Sequence, residues 1–411
     1  MLQVTPGVAA SYTGPRFEAD IDYQGQVLQY RDDSNLNEVY HQLDAEATGW
    51  LVPESFSLDG LISVRQQIID RTAPIPTSTI SGAGNLTDET TAYLSPRWQI
   101  LFSDRVRADI RYAISEIDYD DDSLSESNQK AFAAVLESIQ QADRLYWAAK
   151  YRKSEVDFEN QEEVSFEHTT LETGIPIANR TSLVLLVGYE ENNFRLSNGN
   201  DAPDDRLWMV GVRTQRADRY EFELLAGNRV FGDTYSFRWM QRGRQWSTEA
   251  MYTEDYVTYA DARLEIDPSA AETILPGTGL SGVAPEVYLR ERAQLGATLE
   301  RPKTTLRVAM YDENRHYQTT NNQESLKGIE LMLNWRVGTR TSFIISGGTQ
   351  ENQLAGTNAT DDLKQMRLGV QRRIGPRVVA NFNVGRTDQT STDSTREYVE
   401  NTATLSATIA F

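Results

Sequence analysis

The chain has 411 residues, no cysteine and a formal net charge of −20. The missing cysteine excludes disulfides, thiolate catalysis and cysteine-ligated zinc or iron–sulfur sites, and the acidic balance argues against a nucleic-acid partner, whose phosphates need the opposite sign. No segment reaches the roughly 18 consecutive apolar residues that a membrane-crossing helix needs, which leaves open a transmembrane barrel, whose strands average out as polar.

The opening MLQVTPGVAA has no basic segment followed by an apolar core, so no signal peptide is expected in the sequence as it stands. From there, alternation with period two dominates. In RFEADIDYQGQVLQY (16–30), Phe17, Ala19, Ile21 and Tyr23 alternate with Glu18, Asp20, Asp22 and Gln24. In SDRVRADIRYAI (103–114), Val106, Ala108, Ile110 and Tyr112 alternate with Arg105, Arg107, Asp109 and Arg111. LERPKTTLRVAM (299–310) and RRIGPRVVANFNVG (372–385) each join two such runs through a few turn-forming residues, the signature of a hairpin. The chain ends on NTATLSATIAF (401–411), where Leu405, Ile409 and Phe411 share one parity and Thr404, Ser406 and Thr408 the other.

The connections alternate too. Tight ones near 53–55, 103–105, 176–180, 216–218, 300–303 and 375–377 are separated mostly by longer polar ones, among them DYDDDSLSESNQK, ADARLEIDPSAAETILPGTGLSGVAP and TDQTSTDSTRE. Short turns on one side and long loops on the other are the pattern of an outer-membrane barrel, and about 21 strands of about ten residues fit a tilted membrane crossing. The expected fold is all-β, a single domain over 1–411: a transmembrane antiparallel up-and-down barrel of about 20–22 strands in a bacterial outer membrane. Trp50, Trp98, Trp147, Trp239, Trp246 and Trp335 lie near short turns and only Trp208 by a long loop, which predicts an aromatic girdle at the periplasmic interface. Counted back from a periplasmic C-terminus, segment 2–12 runs inward from outside, so an upward first strand and a signal peptide before it are expected to be missing from the chain as given.

Two stretches carry a family resemblance: YRDDSNLNEVYHQLDAEATGWLVPESFSLDG (30–60) and LWMVGVRTQRADRYEFELLAGNRVFGDTYSFRWMQRGRQWSTEAMYTED (207–255). They resemble the barrels that accompany exosortase/PEP-CTERM exopolysaccharide loci. The resemblance implies an outer-membrane protein of polysaccharide production or export, with polysaccharide and periplasmic export proteins as partners. It transfers no catalytic residue. The terminal strand resembles that of bacterial outer-membrane barrels, whose final aromatic is read by the assembly machinery; Phe411, with Ile409 and Leu405, is the expected signal. Outer-membrane lipid and lipopolysaccharide are the remaining expected partners.

No enzymatic constellation stands out. His41, His168 and His316 are far apart, Ser165 and Ser182 being the only imaginable nucleophiles near one of them. No cofactor motif appears. Asp118, Asp120, Asp121 and Asp122 are hard oxygen ligands suited to Ca²⁺, but lack the glycine and distal glutamate of an EF-hand loop, so a solvated external loop is expected instead.

On the inward parity, early strands offer Glu18, Asp20, Asp22, Asp44, Glu46 and Asp59; later ones offer Arg213, Arg238, Arg290, Arg292, Arg307 and Arg367. Strand order maps onto position around a barrel, so one reading is a transverse field across the pore. The other is neutralisation by neighbours such as Glu221, Glu223 and Glu291. The loop around 259–285 is the segment long enough to fold inward. The functions in competition are an export barrel, a general diffusion porin or structural barrel docking periplasmic partners, an outer-membrane enzyme, and a soluble all-β carbohydrate binder.

Overall fold

Residues that alternate in polarity are stable as strands only if one face meets water and the other an apolar medium. The computed structural model builds the chain that way throughout; it describes residues 2–29, 37–69, 85–139, 144–159, 162–216, 219–263, 286–357 and 359–409. Strands β1 (Leu2–Val4), β2 (Gly7–Thr13), β3 (Phe17–Gln29), β4 (Glu38–Val52), β5 (Phe56–Ile68), β6 (Leu86–Ser103) and β7 (Val106–Tyr119) come first. β8 (Ser127–Ser138), β9 (Tyr146–Phe158), β10 (Val164–Ala178), β11 (Thr181–Asn193), β12 (Asp205–Arg216), β13 (Tyr220–Arg229), β14 (Gly232–Arg242) and β15 (Trp246–Val257) follow. After a short helix, α1 (Tyr259–Arg263), come β16 (Tyr288–Arg301), β17 (Thr304–Tyr317), β18 (Gln323–Arg336), β19 (Thr341–Gln353), β20 (Thr360–Arg373), β21 (Val378–Ser391) and β22 (Tyr398–Ile409).

All belong to one 22-stranded sheet. From β3 onward each strand pairs antiparallel with the next, an up-and-down meander. β1 and β2 both pair with β3 in a single register, Leu2 opposite Gln29 and Gly7 opposite Gln24, so they are halves of one crossing. The interruption falls at Pro6, which has no N–H to give to the ladder, while its carbonyl still accepts from Gly25 N at 2.9 Å. An even number of antiparallel steps separates β2 from β22, so the two run in the same direction; among the described residues no ladder joins them.

The turn asymmetry holds. Pro302–Lys303, Asn179–Arg180 and Asp104–Arg105 close one end, whereas 194–204, 318–322 and 392–397 lie at the other. Two connections break the pattern: 139–145, between β8 and β9, is long for the short-turn end, and β13 and β14 meet at the long-loop end through Val230 and Phe231 alone, with Gly232 at φ 113° where a side chain would be strained.

The faces are inverted relative to a water-soluble protein. Leu405 is 80% exposed and Met366, Ile329 and Phe382 are exposed as well, while Glu190 and Glu313 are almost fully buried. On β22 the outward parity carries Val399, Leu405 and Ile409, and the inward parity Thr402, Thr404 and Ser406, as expected; Phe411 lies outside the described residues. Trp98, Trp246 and Trp335 project outward near the short turns, exposed by 51%, 41% and 48%, and Trp147 and Trp239 share their parity. Trp50 departs from the expected girdle: it pairs with Ser57 in the register that puts Asp59 and Thr48 inside, so it faces the lumen.

The short-turn end faces the periplasm by this asymmetry. In a chain without native cysteine, a membrane-impermeant maleimide applied to intact cells should label Ser125→Cys, in the connection between β7 and β8, and spare Lys303→Cys. The reverse pattern would invert the orientation.

Candidate functional site

The lumen is the candidate site, and its lining follows from the register. Glu18, Asp20 and Asp22 line β3, Asp44 and Glu46 line β4, and Asp59 lines β5; Asp20 stands directly opposite Glu46 and Asp22 opposite Asp44. Like charges in direct opposition repel across a ladder, and here they sit where water reaches them, Glu18, Asp20 and Asp22 all being exposed. Arg65 Nη2 lies 2.6 Å from Asp44 Oδ1, and Arg111 Nη2 3.1 Å from Asp59 Oδ2. The acidic patch expected from sequence is thus a contiguous surface on β3–β5.

The arginines are a different matter. Arg213 of β12 donates through Nη1 to Glu172 Oε1 at 2.5 Å and through Nε to Glu223, while Lys150 Nζ reaches the other oxygen of Glu172 at 2.9 Å. Arg213 can lie across the wall because Gly174 and Gly211, the neighbours of Val184 in the intervening row, carry no side chain. Arg292 of β16 pairs with Glu313 at 2.8 Å, and Arg315 holds the other oxygen of the same carboxylate. Arg290 is buried on β16, and Arg238 of β14 stands opposite Glu223. Arg307 of β17 faces Thr298 and Met332, and Arg367 of β20 faces Ser346 and Gly385, with no carboxylate directly opposite either. A basic wall confronting an acidic one is therefore corrected for Arg213 and Arg292, which are neutralised by carboxylates within hydrogen-bond reach. Glu223 plays the part expected of it; Glu291 does not, because it occupies the outward parity of β16 and lies 4.0 Å from His316.

Sequence reading missed the carboxylates that organise this network. Glu190 of β11, 1% exposed, accepts from Arg229 Nε at 2.6 Å and lies 3.3 Å from His168 Nδ1. Arg229 also donates to Asp255 at 2.8 Å and to the Glu254 carbonyl at 2.7 Å, with its guanidinium 4.8 Å from the Phe231 ring centroid. The Arg229–Glu190 pair is shielded from bulk water, whereas Asp255 keeps part of its side chain exposed.

The histidines do not come together. His41 is on the outward face, its Nδ1 3.0 Å from Tyr23 Oη; His168 faces inward and His316 outward. Ser165 is on the opposite face from His168, and Ser182 lies at the short-turn end of β11. Of the loop aspartates, Asp121 Oδ1 takes the Ser123 N–H at 2.9 Å and the Ser123 hydroxyl at 2.5 Å, two bonds that hold its carboxyl below the usual carboxylate range. Among the described residues no group of three or more acids or histidines, Asp118, Asp120 and Asp122 included, is placed to share a metal ion.

The mouth at the long-loop end is crossed twice. After β15 the chain turns inward as α1. Thr258 and Asp261 form a capping box: Asp261 N donates to Thr258 Oγ1 at 3.1 Å and Thr258 N to Asp261 Oδ2 at 3.3 Å. The other oxygen, Oδ1, reaches across the lumen, accepting from Gln129 Nε2 of β8 at 2.6 Å and from Ser154 Oγ of β9 at 2.7 Å. Tyr259 Oη donates to Glu89 Oε2 of β6 at 2.6 Å. Ala260, 1% exposed, packs among Ile117, Tyr119, Leu124, Val156 and Phe158. A second strap comes from the connection 194–204: Phe194 and Ala202 pack on Phe166 and Val287, and Ser197 N donates to the Gln318 carbonyl at 2.8 Å. The part of the loop 259–285 that is described, 259–263, thus folds inward as expected; 264–285 lie outside the described residues.

No protein-family model matches the sequence, and no curated protein does. The fold has solved counterparts. The FrpB iron transporter from Neisseria meningitidis (F5-1 variant) superposes with a TM-score of 0.54 at 8% identity, over 99% of this chain and 80% of that one. Its apoprotein form gives 0.54 at 9%, over 98% and 78%. The chain is an outer-membrane β-barrel. At such identity the likeness concerns architecture alone, and what this barrel does has to be argued from its own lumen.

Proposed function

We propose that this outer-membrane barrel is a gated, non-enzymatic conduit for a hydrophilic polymer, the exopolysaccharide of the type of system its sequence resembles. The observation that carries the reading is α1, pinned across the lumen by Asp261 to β8 and β9 and by Tyr259 to β6. A strap anchored by a handful of hydrogen bonds narrows a wide lumen at rest and can be displaced by cargo. Below the strap, Thr402, Thr404, Ser406, Asn381 and Asn383 offer hydroxyls and amides that exchange bonds with a sugar chain without holding it.

A second reading comes from the likeness in fold to the FrpB iron transporter: uptake of a metal chelate is the competing cargo. Deleting the gene should abolish surface polysaccharide and leave growth on limiting iron unchanged. Normal polysaccharide with impaired growth on limiting iron would reverse the assignment.

A further inference from the structure

Beneath α1 lies a lumenal cavity of about 250 Å³ between the β9–β10 wall and the β15–β16 wall. Four basic side chains border it: Lys150 and Arg152 from β9, His168 from β10 and Arg290 from β16, with Tyr256 beside them and Asp261 overhead. The charge there is unevenly engaged. Lys150 is held by Glu172 at 2.9 Å, and His168 lies 3.3 Å from Glu190. The cavity's own carboxylates are occupied too, Asp255 by Arg229 at 2.8 Å and Asp261 by Gln129 and Ser154. Arg152, opposite His168 in the ladder, is exposed to the cavity and makes no ion pair or hydrogen bond among the described residues. A guanidinium offers a planar fork of donors matched to a carboxylate.

From this we infer that the cavity under the strap is a subsite for one acidic sugar unit, its carboxylate received by Arg152, its hydroxyls by Thr170 and its ring by Tyr256. The inference rests on the conduit reading and adds the chemical class of the cargo: a polysaccharide carrying uronic acids. Arg152 stands two residues before Ser154 on the same face of β9, so a sugar seated there lies against the bond between Ser154 and Asp261 that holds the strap. Its negative charge then acts on the Asp261 carboxylate directly above.

Calorimetric titration of the detergent-solubilised full chain with trigalacturonate and with maltotriose tests this. The acidic trimer should bind at least about tenfold more tightly, equivalent to ~1.4 kcal/mol. Arg152→Gln should bring the two trimers within about twofold of each other, and Arg152→Lys should restore part of the preference, a guanidinium–carboxylate bond being the stronger. Unchanged heat-modifiable mobility verifies that each variant is folded. Equal binding of both trimers to the parent protein, or a preference that survives Arg152→Gln, overturns the acidic subsite while leaving a neutral polymer as cargo. If neither trimer binds, the subsite is overturned too; the conduit reading stands or falls separately on the polysaccharide of the deletion strain.

Discussion

Replacing Asp261 by Ala should release the strap and raise the barrel's conductance. Its carboxylate takes four hydrogen bonds, from Gln129, Ser154 and both the hydroxyl and the N–H of Thr258. Bonds to a charged group contribute about 1.5–3 kcal/mol each. The two that span the lumen therefore hold the strap by about 3–6 kcal/mol, a factor of about 10²–10⁴ in the population of the open state. The loss also strands Gln129 and Ser154, both buried. In planar bilayers the parent protein should show rare, short openings and Asp261→Ala long-lived ones. Cells carrying the variant should become sensitive to large hydrophilic antibiotics that the outer membrane normally excludes. Asp261→Asn keeps the acceptor at Oδ1 and should fall between. A variant that conducts like the parent would show that α1 does not gate the lumen.

The second large effect is on assembly. Arg229→Met keeps most of the side-chain volume and removes the charge that faces Glu190 and Asp255. Glu190 is left nearly fully buried with only His168 beside it. Breaking a buried pair by deleting one partner costs about 3–5 kcal/mol, because the surviving charge is uncompensated. The urea midpoint for unfolding from lipid vesicles should drop accordingly, or the barrel should fail to become heat-modifiable. Arg367→Gln is the control. Arg367 is exposed to the lumen with Ser346 and Gly385 opposite, so stability should move by less than about 0.5 kcal/mol while ion selectivity shifts. An Arg229 variant as stable as the parent would remove the structural role assigned to these pairs.

Parity alone makes the wall legible in the sequence. Alternation in RFEADIDYQGQVLQY places Glu18, Asp20 and Asp22 on one face and Phe17, Ile21 and Tyr23 on the other, and the ladder keeps them there. Parity does not say what stands beside an inward residue two strands away. Arg213 finds Glu172 across β11 only because glycines in both flanking strands fall level with Val184, a coincidence of register that no single strand shows. Trp50 was misplaced for a related reason: nearness to a turn locates a residue along the membrane normal, and the face depends on pairing with Ser57. Asp261 did leave a trace. Thr258, Tyr259, Ala260 and Asp261 read as a capping box directly after a strand, a sign that the loop opens as a helix; which strands that helix would touch was not written in it.

The Val230–Phe231 link between β13 and β14 bears on the order in which the wall forms. Elsewhere at that end, strands are brought together across loops such as 194–204 or 258–287, and longer loops cost more entropy to close. β12, β13, β14 and β15 are joined by close connections at both ends, so their partners are near neighbours in sequence and their ladder forms from local contacts. Those four strands are the natural nucleus, a patch that zips early and offers its two free edges as templates. β11 then adds at one edge and β16 at the other. Arg229 sits inside that patch and waits for Glu190 on β11, so its ion pair seals the first addition to the nucleus before the circumference exists.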